Sequence, residues 1–342
     1  MAVTVKEIAK ATGMSFSTVS NVLNAAEGRS RRFRPETRER IEHAARNMGY
    51  RRNAAAQTMA NGRFGAVALL QGTNPHLNIL PADLVSGIEQ VLLEMDCHLL
   101  LARLPDEKLT DSGFVPSILQ QWVADGLLVN YNAHIPQRMI ELIRENQIPA
   151  VWLNSQHKED CIYPDDREAA YRATRHLLEL GHQRVAFANY VSGLNETPGH
   201  YSQIDRQQGY EQAMREAGLQ PRRISGAGEV TETGVLPFTQ AWMQSPDHPT
   251  AVLTYHDREA YAIAAMAMIL GLGLPQYMSV VGFNAVVINY FGQHIDTMLL
   301  PEKQMGQIAT EMLFKKIDDR SLAIPARAVP CTLERGETMG SV

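Results

Sequence analysis

At 342 residues, with 45% hydrophobic and 20% charged residues, the chain has an ordinary globular composition and room for two or three domains. Its three cysteines, Cys97, Cys161 and Cys331, are far apart and odd in number, which excludes a disulfide scaffold and gives no metal-ligand spacing. No run of about 20 apolar residues is present, and the opening "MAVTVKEIAK" is charged and helical in pattern, so we expect a cytoplasmic protein with no membrane span.

The net charge of −5 hides an asymmetry. Residues 1–63 hold 12 Lys and Arg against 5 Glu and no Asp, and the remainder is acidic. A basic head on an acidic body is the distribution of a nucleic-acid-binding module joined to another function.

In chain order, Thr4 and Glu7 fit the S/T-x-x-E capping box, and Val5, Ile8 and Ala9 share one helical face. Gly13 permits a left-handed turn. Ser15 is placed to cap a second helix whose apolar stripe is Val19, Val22 and Leu23, leaving Phe16, Ser17, Ser20 and Asn21 on another face. The pair reads as a helix-turn-helix, whose second helix fits a DNA major groove. Pro35 opens a third helix with Ile41, Ala44, Ala45 and Met48 inward. The segment 53–62, "NAAAQTMANG", is alanine-rich, yet so short a helix is marginal alone in water.

From residue 64 the pattern alternates. "FGAVALLQG" (64–72), "CHLLLARL" (97–104), "GLLVNY" (126–131) and "PAVWLN" (149–154) read as strands. Helical spacing lies between them at 84–95, 115–123 and 135–146. A second round has strands at 184–189, 251–255 and 278–283 and helices at 207–219, 258–272 and 304–317. Such alternation predicts an α/β fold with doubly wound parallel sheets in two lobes. Ligands bind these sheets at the carboxyl ends of the strands. G-x-S-x-G, Walker A and H-E-x-x-H are absent from the sequence, and the eleven histidines form no metal spacing, so we expect no enzyme, cofactor or metal. A periplasmic solute receptor is the rival class, and the basic head argues against it.

The spacing A-x-x-x-G-x-S-x-x-T-V-S-x-V-L-N of the head resembles the lactose/galactose repressor (LacI/GalR) family. So do "PETRERI" (35–41), "MGYRRNAAAQTMA" (48–60), "LLELGHQRVAF" (177–187) and "SVVGFN" (279–284). The resemblance implies a three-helix head at 1–50, a hinge helix and linker at 51–63, and a two-lobed core like periplasmic binding proteins. Its first lobe would take 64–164 with 293–326, and its second 165–292 with 327–342.

It also implies a homodimeric transcription regulator, a repressor, on a pseudo-palindromic operator, controlled by a small sugar-like effector between the lobes. Phe16, Ser17 and Asn21 occupy the family's base-reading positions. Most members carry Arg where Asn21 stands; Asn either reads adenine or is too short to reach a base. Thr4, Ser15, Thr18, Ser20 and Asn24 complete the head's DNA-facing set, with Arg32 and Arg34 from a lengthened basic loop (25–34). In the hinge, Asn53, Ala56 and Met59 match DNA-contacting positions, Met59 being either a minor-groove wedge or plain packing.

For the effector the resemblance points to Asn154, Arg206 and Asp257, with Trp152 or Phe291 covering an apolar face. Asp257 is alternatively only a helix cap, and Trp152 only core. His256-Asp257 and Asn284-Ala285 replace the family's frequent Asn-Asp and Asp-Asp. On this reading Arg206→Ala leaves the fold intact and removes the ligand response.

Overall fold

In a computed structural model of the chain, the described residues are 3–24, 33–51, 63–72, 80–104, 123–131, 137–191, 200–225, 234–284 and 293–342. They form two compact units, one reaching Ala66 and including Val123–Asp125, the other beginning at Val67.

The first unit opens with α1 (Val5–Thr12), α2 (Phe16–Asn24) and α3 (Pro35–Asn47). The capping box forms: Thr4 N donates to Glu7 Oε2 at 2.7 Å, and Glu7 N donates to Thr4 Oγ1 at 3.4 Å. Gly13 ends α1 at φ 67°, a conformation that favours glycine. Ser15 Oγ accepts from Thr18 N at 3.0 Å, which starts α2 as the sequence predicts. Pro35 is the first residue of α3. Ile8, Ala9, Val19, Val22, Leu23, Ile41 and Ala45 bury together as the head's core. Asp125 closes this unit by accepting from Phe64 N at 2.8 Å and Gly65 N at 2.9 Å.

The second unit holds two six-stranded sheets. The first lobe's strands are β1 (Ala66–Gly72), β2 (His98–Leu104), β3 (Gly126–Asn130), β4 (Ala150–Leu153), β5 (Cys161–Pro164) and β11 (Arg327–Val329), in the order β11-β5-β4-β3-β1-β2. The second lobe's are β6 (Val185–Ala188), β7 (Arg222–Ile224), β8 (Ala251–Thr254), β9 (Ser279–Phe283), β10 (Asp296–Leu299) and β12 (Thr332–Glu334), in the order β12-β10-β9-β8-β6-β7. The two orders are the same doubly wound pattern, with β12 antiparallel to β10 at the second sheet's edge. The apolar runs of β1, β3 and β4 are buried throughout, as parallel strands covered on both faces must be.

Helices α4 (Ala82–Glu94), α5 (Gln137–Glu145) and α10 (Glu302–Asp318) serve the first lobe, and α6 (Asp166–Glu179), α7 (Tyr201–Glu216), α8 (Val235–Met243) and α9 (Asp257–Ile269) the second. Gly87 of α4 lies against the Lys303 carbonyl of α10, and Gly306 of α10 against the Leu84 carbonyl. A Cβ at either would meet backbone, so these glycines set how closely the helices approach.

The sheet pairing corrects two expected boundaries. Asp296–Leu299 pairs in parallel with β9, so the chain stays in the second lobe past residue 293 and crosses back only between Leu299 and Glu302. The buried Asp296 carboxylate fixes this strand by accepting from Thr338 N at 2.7 Å and Met339 N at 2.8 Å. Arg327–Val329 pairs with β5, with Val329 in the first lobe's core, so the last crossing follows Val329 instead of preceding Arg327. The expected hinge helix and the helix at 115–123 fall, but for Val123, on residues outside those described.

Candidate functional site

On the head, α2 buries Val19, Val22 and Leu23 and leaves Phe16, Ser17 and Asn21 exposed. Phe16 is 53% exposed, a large apolar ring at the start of a helix in a unit this small. Thr4 and Ser15 are exposed with their hydroxyls engaged in the caps, while Thr18 and Ser20 are half-buried. Asn24 is the last residue of α2. Arg34 is exposed and precedes α3 without a side-chain cap bond. Arg32, Asn53, Ala56, Met59 and Phe291 lie outside the described residues.

In the core, Arg206 stands on α7, 3% exposed. Its Nε donates to Asp166 Oδ1 at 2.6 Å, Nη1 to the Tyr255 carbonyl at 2.5 Å, and Nη2 to Asn284 Oδ1 at 3.3 Å. The guanidinium also lies 4.1 Å from the Phe283 ring centroid and 5.0 Å from that of Tyr255. Asp166 is the first residue of α6, 1% exposed. Burial works most strongly against the Arg206 charge, but Asp166, Tyr255 and Cys331 together outweigh it and raise the guanidinium's already high pKa. An ion pair this dry has to be complete, because either charge alone would be buried and uncompensated.

The network continues through Asn284, whose φ of 65° turns the chain just after β9. With Asn284 Oδ1 accepting from Arg206, its Nδ2 donates to His256 Nε2 at 3.4 Å. His256 Nδ1–H then donates to Asp257 Oδ1. Asp257 is not the cap of α9 but its first residue; His256 is the N-cap.

A second branch reaches the first lobe. Asn154 follows β4 at φ 51°, which an Asn tolerates, and its Oδ1 accepts from the Tyr201 hydroxyl at 2.9 Å. The His200 Nε2–H donates to the Asn154 carbonyl at 3.2 Å, leaving Nδ1 to accept from Ser202 Oγ at 2.7 Å. The Tyr255 hydroxyl donates in turn to Ser202 Oγ at 3.0 Å. Burial pushes His200 below the usual histidine pKa, consistent with this neutral tautomer. Gln156 Nε2 adds a bond to Asp205 Oδ2 at 2.7 Å. Asn154, Arg206 and Asp257 thus lie in one bonded network at the carboxyl ends of β4, β8 and β9. Trp152 stays inside β4, 6% exposed, with its ring 4.8 Å from His157.

The sequence reading missed Asp166, His200 and Tyr201. The paired aspartates at 165–166 before a helical pattern were the available signal for the first. Nothing local marks the other two, because their partners lie 46 and 47 residues away. A hollow of about 770 Å³ lies on α6 and α7, but Arg167, Glu211, Arg215 and Glu216 line it as solvated charges, so the chemistry favours the inter-lobe network. Among the described residues, no group of three or more His, Cys, Asp or Glu is placed to hold a metal, and no helix is long and apolar enough to cross a membrane.

Comparison with known proteins matches both units. The family model described as bacterial regulatory proteins, lacI family, covers residues 4–53, and that of a periplasmic binding protein-like domain covers 174–339. The chain is 28% identical over 322 residues to the HTH-type transcriptional regulator DegA of Bacillus subtilis (strain 168), covering 90% of this chain and 89% of that protein. It is 25% identical over 342 residues to the ribose operon repressor of Escherichia coli (strain K12), covering 97% and 99%. Its fold matches the crystal structure of the lac repressor dimer bound to operator and the anti-inducer ONPF, with TM-score 0.80, 21% identity and full coverage of both chains. A LacI family regulator from Enterococcus faecium with bound ribose matches at TM-score 0.64 and 20% identity, over 81% of this chain and 99% of that one. The basic head and the two-lobed core are each accounted for by one architecture, and the chain belongs to the lacI family of bacterial regulatory proteins, DNA-binding transcription regulators.

Proposed function

We propose that the protein is a cytoplasmic, homodimeric repressor whose affinity for a pseudo-palindromic operator is set by a small sugar or related metabolite bound between the core lobes. The observation that carries this reading is the network that runs from Asn154 in the first lobe through His200, Ser202 and Tyr255 to Arg206, Asn284, His256 and Asp257 in the second. A ligand that bonds into it acts on both lobes at once, and their relative position is what a hinge and a head can read. Phe16, Ser17 and Asn21 are the proposed base-reading residues, and Met59 the proposed wedge.

The second copy has a surface to use. Leu93 and Met95, at the end of α4, and Leu100 and Leu101, on the edge strand β2, are exposed by 80%, 51%, 40% and 53%. Clustered apolar residues on an open sheet edge are a liability in a monomer and an interface in a dimer. The relative whose structure is a dimer on its operator supports that assignment.

The test couples two measurements. A thermal-shift screen of sugars and small metabolites identifies a stabilising ligand, since binding to the native state raises its melting temperature. Operator affinity is then measured with and without that ligand. A change in affinity supports the reading; a ligand that stabilises the core and leaves DNA binding untouched refutes it.

A further inference from the structure

Within the crevice network, Arg206 is the cation, and Asp166, Asp257 and, on the Gln156 branch, Asp205 are the carboxylates. Three of the five Arg206 donors are committed, and two aromatic rings lie against its guanidinium. Its charge is therefore fixed in place and already matched by Asp166. The Asp166 carboxylate is less well served. Oδ1 takes the Arg206 Nε, but Oδ2 is buried and meets no hydrogen-bond donor among the described residues. The Tyr201 hydroxyl interacts with Asp166, yet its one proton goes to Asn154 Oδ1. A buried carboxylate oxygen without a donor is unfavourable until one arrives.

We infer that Asp166 is a specificity-determining residue of the effector site: its Oδ2 accepts a hydroxyl proton from a neutral polyol, and its charge, by cancelling Arg206, excludes carboxylate ligands. This rests on the effector reading above and narrows it. A hydroxyl supplies the donor that Oδ2 lacks. A carboxylate supplies none, and it meets Asp166 and Asp257 across the same network. The sequence alone leaves this choice open, because an unaccompanied arginine suits a carboxylate as well as paired hydroxyls. The carboxyl ends of the first lobe's strands agree with a neutral ligand: Gln71 is next to last in β1, Asn130 is last in β3, and Asn154 follows β4, all uncharged amides.

The test is a melting-temperature series on the full-length protein with matched probes: D-glucose and D-ribose against D-glucuronate and D-ribonate. The anions are expected to leave the wild-type transition unshifted. Asp166→Asn keeps the shape, removes the counter-charge, and is expected to gain stabilisation by glucuronate or ribonate, with an apparent affinity about tenfold or more above wild type. Asp166→Asn combined with Arg206→Gln removes both charges and should erase the gain. If Asp166→Asn alone does not fold, glucuronate or ribonate is expected to restore its transition, because Arg206 is then the unpaired charge. Wild-type stabilisation by either anion, or the lack of any anion response or rescue in Asp166→Asn, overturns the inference. Failure of the effector reading looks different: neutral sugars and metabolites leave wild type unshifted while the anion gain of Asp166→Asn persists.

Discussion

The two lobes share one strand order but not one chemistry. The first packs Val67, Leu69, Leu128, Val151 and Leu153 on α4 and α10 and buries one cation on α10, Lys316, whose Nζ donates to Asp160 Oδ2 at 2.7 Å. The second buries charge: the Asp166–Arg206 pair, Asp296 and Glu259 are each 3% exposed or less. Backbone pattern alone therefore does not choose where a doubly wound sheet binds. The second lobe holds the polar machinery, and the first contributes neutral acceptors such as Asn154 that register where the lobes lie. In the second lobe the residues of the proposed site also hold the fold, so a substitution there is also a stability substitution.

Arg206→Ala breaks this comparison hardest. Removing one partner of a dry ion pair leaves Asp166 charged and unaccompanied, so we expect a loss of about 3–5 kcal/mol in urea unfolding. The sequence reading, in which the same change leaves the fold intact, is incompatible with the pair's burial. Removing both charges as Asp166→Asn with Arg206→Gln should recover much of the loss, and a double-mutant cycle measures how much. A double-variant loss equal to the sum of the Asp166→Asn and Arg206→Gln losses would mean that the pair is not coupled.

A smaller effect separates the lobes by pH. Burial holds His182, in the second lobe, below the usual histidine range. The unfolded chain then binds its proton first, so this contribution is present above about pH 6.5 and is lost as pH falls below it. Glu302, in the first lobe, is pushed up to about 7 by burial and then by Asp83. Its sign is opposite: the unfolded carboxyl ionises first, so the contribution is full below about pH 4.5 and lost as pH rises through 7. Glu302→Gln should therefore stabilise the protein by about 1 kcal/mol at pH 8 and by little at pH 5. Thermal melts across that range check it, and an equal effect at both pH values would place the carboxyl in water.

Tyr201→Phe sharpens the contact between lobes. It removes one hydrogen bond to Asn154 and preserves the ring against Tyr163, whose centroid lies 5.6 Å away. The expected loss of stability is about 0.5–1.5 kcal/mol. If Asn154 registers lobe position, the ligand's effect on operator affinity should shift while operator binding in its absence stays near wild type. A stability loss without any change in ligand response would reduce the contact to packing.

What could be read in the sequence was what a few neighbouring residues decide. Thr4 with Glu7, Gly13, Ser15 and Pro35 mark the head's helices through caps and turns that close within four residues. The apolar runs of β1, β3 and β4 mark buried strands for the same reason. β10 and β11 have four and three residues, too few to carry a period, and hydrogen bonds to distant strands decide their sheet. Arg206 was visible as a residue, but its meaning depends on Asp166, 40 positions earlier. A guanidinium without its counter-ion and one with it are different binding groups, and no local pattern distinguishes them.

The most direct test of the account uses Asp257, a member of the network that is less buried than the ion pair, with its side chain 19% exposed. Operator affinity of the full-length dimer is titrated with the ligand identified by thermal shift, for wild type and Asp257→Asn. The account predicts operator affinity within about twofold of wild type without ligand, and a ligand response displaced about tenfold or more to higher concentration, the loss of one charge-assisted bond. An unchanged response at wild-type ligand concentrations would contradict it and place the effector elsewhere in the molecule.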